Sequence, residues 1–341
     1  MKGITEMKST LSLVVLVFSA ISLLFAPRTL ENEVAKPFPA PTNWTATEVV
    51  AAPILGNIAC GSDSSVYFRV QQANHNPLEA PITRLSPDGS AKTIDLRNGT
   101  GFAGHFYVFA FNVDTDGVIY AVAKQDADSH WYLVSFDKNG QYTGKVPLQE
   151  SVRASFLLPM KKTRFLISGI EPDSKQGSSV TSIFNELGES VKSIKLTDDD
   201  AAATPMPEAG TFNPSIQLGA AEVGPDGYTY ILKASGYPKA QVTDSDGNTI
   251  RFLTLTPPAE GARAYGFHVL GGGSIAVEYQ TDPAQPNAAE RYVELYNAAT
   301  GKPSVTYLAG GIGIVACSSG NSLLLMKPTG DHHFALGRAP L

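Results

Sequence analysis

Apolar and polar positions along this chain alternate in short runs that end at tight-turn residues, and six stretches repeat one layout. Each has an apolar segment, a turn, and then a run rich in β-branched and aromatic residues. They are IACGSDSSVYFRV from Ile58, FNVDTDGVIYAVA from Phe111, FLLPMKKTRFLIS from Phe156, AEVGPDGYTYILK from Ala221, FHVLGGGSIAVEY from Phe267 and VACSSGNSLLLMK from Val315. One apolar slot lines up through all six, at Cys60, Val113, Leu158, Val223, Val269 and Cys317, in steps of 53, 45, 65, 46 and 48 residues. Period-2 alternation bounded by turn residues predicts short strands, and nothing after residue 45 holds a helical period.

Each unit has a second half in which two apolar positions precede a Gly-bearing turn: ITRLSPDG from Ile82, LVSFDKNG from Leu133, IFNELG from Ile183, VTDSDG from Val242 and VELYNAATG from Val293. A further apolar run usually follows, as at Thr93–Leu96 and Phe252–Leu255. Asp-Gly and Asn-Gly turns between strand-like runs are hairpin signals. Four strands in every 40–50 residues, roughly, is the repeat of a propeller blade. The predicted fold is therefore all-β, a six-bladed β-propeller of four-stranded antiparallel blades over residues 45–341. On this layout the chain resembles the six-bladed propellers of the NHL and TolB-like kind. No Trp-Asp dipeptide supports a WD40 assignment.

The sixth unit has a first hairpin, a third strand near His332–Leu336, and then the chain stops. In propellers of the kind it resembles, an N-terminal segment supplies the missing outer strand, and Thr45–Val50 (TATEVV) has the β-character for it. An unpaired edge would otherwise leave backbone donors and acceptors exposed.

The N-terminus reads differently. Lys2 and Lys8 precede an uncharged apolar run from Thr10 to Ala26. That is the pattern of an export signal or an N-terminal membrane anchor helix over residues 1–26. Bulky Phe18 and Leu24 near the candidate cleavage points keep both readings open. Residues 27–44, with four prolines between Pro27 and Pro41, read as a linker. Either reading exports the body to the periplasm or the exterior, with membrane contact only through residues 10–26.

Composition narrows the function classes. With 43% hydrophobic and 17% charged residues in 341, the chain is globular rather than disordered. A net charge of −6 argues against binding nucleic acid through phosphate neutralisation. Nothing suggests an oligomer, so a monomer is expected. The two cysteines, Cys60 and Cys317, share one slot of neighbouring first and sixth units. They form either a disulfide across the ring closure, as an even count in an exported chain suggests, or two small buried thiols.

The residues just before the aligned slot are Ala59, Asn112, Leu157, Glu222, His268 and Ala316. A channel-facing slot would bring Asn112, Glu222 and His268 to one level, where they could bind a divalent cation such as calcium or act on a polar ligand. The competing reading is that each satisfies a hydrogen bond on its own strand. His105, Arg153 and Arg263 lie just upstream of inner strands. Asp114-Thr115-Asp116-Gly117 and Asp244-Ser245-Asp246-Gly247 lack the distal ligands of a calcium loop and read as hairpin turns. Asp198–Asp200 open an Ala- and Pro-rich insertion running to Leu218, and alternation sends His332 and His333 to opposite faces.

No nucleophile elbow, Cys-x-x-Cys pair or His-Glu-x-x-His motif occurs. The leading reading is an exported ligand- or protein-binding propeller without a catalytic constellation. The alternative is a divalent-cation-dependent hydrolase or lactonase at the channel mouth, similar to the gluconolactonase-like propellers. Those hold their ion with a Glu, Asn and Asp set. Glu222 and Asn112 match, no Asp does, and His268 occupies another copy of the slot.

Overall fold

The structure is a computed structural model that describes residues 35–341, except 74, 103, 127–129, 173–178, 196–219, 234–237 and 282–289. The signal or anchor segment, most of the Pro-rich stretch and the 198–218 insertion lie outside the described residues. Among the described residues no helix is long and apolar enough to cross a membrane.

The chain opens with two strands, β1 (Lys36–Pro37) and β2 (Trp44–Val50). Blade 1 then follows as β3 (Ala59–Cys60), β4 (Val66–Arg69), β5 (Ile82–Leu85) and β6 (Ala91–Ile94). Blade 2 is β7 (Phe106–Val113), β8 (Ile119–Gln125), β9 (Trp131–Phe136) and β10 (Tyr142–Pro147). Blade 3 is β11 (Arg153–Met160), β12 (Arg164–Ile170), β13 (Ser179–Phe184) and β14 (Ser190–Ser193). Blade 4 is β15 (Ala221–Val223), β16 (Thr229–Lys233), β17 (Lys239–Thr243) and β18 (Thr249–Thr254). Blade 5 is β19 (Arg263–Val269), β20 (Ser274–Gln280), β21 (Arg291–Asn297) and β22 (Pro303–Leu308). Blade 6 has β23 (Ile314–Ser319), β24 (Ser322–Pro328) and β25 (His333–Pro340).

Each blade is an antiparallel sheet, and β2 completes the sixth by pairing with β25, Trp44 opposite Gly337 and Val50 opposite His333. The N-terminal strand closes the ring, as the missing outer strand required. Buried Thr47 fastens it by donating its hydroxyl to Phe334 O at 2.7 Å. Order extends further back than the Pro-rich composition suggested: β1 runs parallel to β22, and Phe38 meets the Tyr307 ring edge-on at 5.7 Å. Two residues of strand and one aromatic contact are too little to register as a pattern.

The tight turns form as their residues dictate. Asp114 Oδ1 accepts from the backbone of Asp116 and Val118, and Asp244 Oδ1 from Asp246 and Asn248, while Gly117 and Gly247 take positive φ. These carboxylates build hairpins, as their spacing implied. All the inner strands run in one direction, so such turns gather at one end of the ring. The opposite strand ends, such as Arg69 and Ile82, Gln280 and Arg291, and Ser193 and Ala221, lie at the other. There buried Arg69 pins the short turn at Pro77–Glu79 to blade 2, donating to the carbonyls of Pro77, of Ala80 at 3.1 Å and of Val108 at 2.9 Å.

The core lies between blades rather than in one central mass. Buried Leu, Ile, Val, Phe and Tyr from facing blades form separate clusters, one running from blade 3 to blade 5 and another between blades 5 and 6. The seam between blades 6 and 1 carries the Cys60–Cys317 disulfide, with Cα atoms 6.2 Å apart, inside the roughly 7 Å that a bridge tolerates.

Candidate functional site

Alternate residues of an inner strand point to the two neighbouring blades, so the slot before the aligned apolar position packs between blades. Ala59, Leu157, His268 and Ala316 are all buried there. Asn112 stays apart from the other two candidates. Its amide donates to Leu157 O of blade 3 at 2.8 Å, and its carbonyl accepts from Val113 N at 2.7 Å. Asn57 makes the same kind of bridge one blade earlier, donating to Phe111 O at 2.6 Å. Asn112 is a fastening between blades and does not converge with Glu222 and His268.

Glu222 and His268 do meet. His268 Nδ1 lies 2.9 Å from Glu222 Oε1, and His268 Nε2 lies 3.3 Å from Glu278 Oε1. Both partners are carboxylates, which accept and do not donate, so both ring nitrogens carry protons and the ring is cationic. Burial disfavours that charge. The hydrogen bonds and charges of Glu222 and Glu278 outweigh it and push the His268 pKa up to about 10. Glu222 Oε2 also accepts from Val269 N at 2.7 Å and from the Ser318 hydroxyl at 3.2 Å. One carboxylate thus ties blade 4 to blades 5 and 6.

The chain of charges continues outward between blades 5 and 6. Arg291 Nη2 reaches Glu278 Oε2 at 3.4 Å, its Nε donates to the Tyr265 hydroxyl at 2.8 Å, and its Nη1 donates to Gly313 O at 3.0 Å. Burial, with the Glu278 charge behind it, holds the Tyr265 phenol well above the usual tyrosine range. Gly266 sits opposite Glu278, and a side chain there would collide with Glu278 Oε1. The sequence pattern pointed to Glu222 and His268 and missed Glu278, Arg291, Tyr265 and Ser318. The available signal was Glu278 itself, a lone acid inside the apolar run of β20.

The divalent cation that the gluconolactonase resemblance implies does not fit these residues. Both nitrogens of His268 and both oxygens of Glu222 are engaged within the protein, and Asn112 is spent on blade 3. Among the described residues no group of three or more His, Cys, Asp or Glu side chains could hold a metal ion. His105 Nδ1 pairs with Glu79 Oε1 at 2.6 Å, while Arg153 and Arg263 start their inner strands as exposed side chains. His332 takes a left-handed φ of 62° in the turn before β25, so only His333 belongs to the strand.

No protein-family model and no curated protein sequence matches the chain. Among solved structures it is similar to a calcium-binding protein, regucalcin, from Agrobacterium tumefaciens, with a TM-score of 0.52 and 12% identity over 90% of this chain and 95% of that one. It is also similar to a protein of unknown function from Dyadobacter fermentans, with a TM-score of 0.51 and 9% identity over 89% and 100% of the two chains. A catalytically inactive virginiamycin B lyase from Staphylococcus aureus, with quinupristin, has a TM-score of 0.46 and 11% identity over 88% and 98%. At these identities the likeness is one of fold alone, that of the six-bladed β-propeller.

Proposed function

We propose that the protein is an exported binding propeller rather than a cation-dependent hydrolase. The observation that carries this reading is the saturation of His268, whose two nitrogens are both held by carboxylates. A ring that stays cationic through neutral pH is neither a general base nor a metal ligand there. Asn112, Glu222 and His268 fasten blades to one another, which leaves the end of the ring opposite the tight turns as the face for a partner. Export is supported by the disulfide, which persists in oxidising compartments.

Elemental analysis of the full-length protein, with thermal melts in the presence and absence of a chelator, tests the reading. The expected result is no stoichiometric divalent ion and a melting temperature that chelation leaves unchanged. A bound ion whose removal lowers the melting temperature would overturn it in favour of the hydrolase.

A further inference from the structure

Two Asn-Gly dipeptides occur in the chain, Asn98-Gly99 and Asn139-Gly140. Both belong to turns at the outer junction of blades 1 and 2. Asn98 lies in the connection from β6 to β7, and Asn139 in the tight turn from β9 to β10. Each glycine has a positive φ, 79° at Gly99 and 81° at Gly140. Each also packs across the junction, Gly99 beside Tyr142 and Gly140 against Ile94. Both asparagines are exposed.

The backbone nitrogens that follow them differ. Gly140 is buried, and its N–H donates to Asp137 O at 2.8 Å, which closes the turn. Two more bonds hold that turn: Asn139 N donates to Asp137 Oδ1 at 2.8 Å, and Lys92 Nζ donates to the Asn139 carbonyl at 3.0 Å. Gly99 is exposed, and its N–H donates to no acceptor among the described residues. The hydrogen bonds of its turn pass over it. Asn98 N donates to Asp95 O at 3.2 Å, while Thr100 donates its N–H and its hydroxyl to Arg97 O at 3.4 and 3.0 Å.

An unbonded, solvent-exposed amide nitrogen beside an asparagine is a nucleophile within a bond rotation of the side-chain carbonyl carbon. Glycine has no Cβ to crowd that approach, and asparagine is thermolabile. We propose that Asn98 is a site of spontaneous covalent modification, converting to isoaspartate and aspartate with water as the only co-reactant. Gly99 N gives up its proton to solvent and forms a bond to Asn98 Cγ. The Cγ–Nδ2 bond breaks, and Nδ2 takes up a proton and leaves as ammonia. Water then opens the five-membered imide. Attack at Cγ restores the original backbone and yields aspartate; attack at the main-chain carbonyl of residue 98 yields isoaspartate, in which the backbone runs through Cβ and Cγ. Nothing is oxidised or reduced.

Either product adds a negative charge beside the Asp95–Arg97 ion pair, and isoaspartate lengthens the link between blades 1 and 2 by one carbon. At Asn139 the same attack requires Gly140 N to abandon Asp137 O in a turn that two further bonds hold.

Incubation of the folded full-length protein at mildly alkaline pH, followed by peptide mapping with mass spectrometry, tests the site. The Asn98 peptide should gain the mass of an amide-to-acid exchange and contain both isoaspartate and aspartate. It should do so about tenfold faster than the Asn139 peptide, which must first break a hydrogen bond. In denaturant the two peptides should react at nearly equal rates, because the dipeptides are the same and the fold no longer distinguishes them. Gly99→Ala, whose methyl meets only ordinary contact with Tyr142, should slow the reaction at Asn98 and leave Asn139 unchanged. Equal rates at the two sites in the folded protein, or a ratio that denaturant leaves unaltered, overturns the proposal. So does a product containing aspartate alone, which marks direct hydrolysis without the imide.

Discussion

His268 shows how a single buried group can be held in an unfavourable charge state. It needs both Glu222 and Glu278 to outweigh desolvation, and its raised pKa links the clasp to pH. In the unfolded chain the ring loses its proton near 6.5, whereas the folded protein holds it to about 10. The stabilisation is therefore fully present below about pH 6.5 and is lost as pH rises toward 10. Melting temperatures should fall across that window, and His268→Gln should remove most of the fall; an unchanged slope in the variant would count against a charged ring. Glu222→Gln leaves the cation with one carboxylate and should cost about 2–4 kcal/mol, against about 1–2 kcal/mol for Asn112→Ala, which loses only neutral hydrogen bonds. Chemical denaturation of the two variants separates a charge clasp from an ordinary stitch.

At the scale of elements, the strands and their turns were legible because both signals are local. Asp-x-x-Gly and Asn-Gly spacings mark hairpins that the carboxylate and amide oxygens then build, as at Asp114 and Asp244. Alignment of inner strands also placed Glu222 and His268 in matching slots of blades 4 and 5, so their meeting was half visible. Their third and fourth partners were not, since Glu278 belongs to a second strand and Ser318 to blade 6, and only register brings them together. The short β1 was invisible for a similar reason, because it depends on Tyr307 and β22 rather than on its own residues. The outer strand β2 carries a testable load. Without it, β25 would present an open edge of unpaired backbone groups. A chain lacking residues 1–50 should self-associate, visible in size-exclusion chromatography with light scattering as a larger assembly than the intact chain forms. A monodisperse truncated monomer would show that β25 needs no cover.

The whole ring is closed at two radii, and the closures constrain different things. On the outside, β2 knits onto β25 through backbone pairing, a contact that can fray and re-form. Near the channel, Cys60 and Cys317 join the first and last inner strands across 257 residues of chain. Cross-linking positions that far apart removes many open conformations of the unfolded chain, and the chain-entropy treatment assigns about 5 kcal/mol to a loop of this length. Reduction leaves every blade's hydrogen bonds and inter-blade clusters in place, so the folded ring should survive it at moderate temperature. What changes is the route of unfolding: with the inner tie gone, release of β2 from β25 is no longer backed by a covalent link between blades 6 and 1. The reduced protein should melt roughly 10 °C lower than the oxidised one. Its unfolding rate in denaturant should rise, while its far-ultraviolet spectrum at 25 °C stays that of an all-β protein. Cys60→Ser with Cys317→Ser should reproduce the shift without reductant. Equal melting temperatures for the oxidised and fully reduced forms, with both thiols titrated, would mean that β2 and the apolar packing between blades 6 and 1 hold the ring shut without the disulfide.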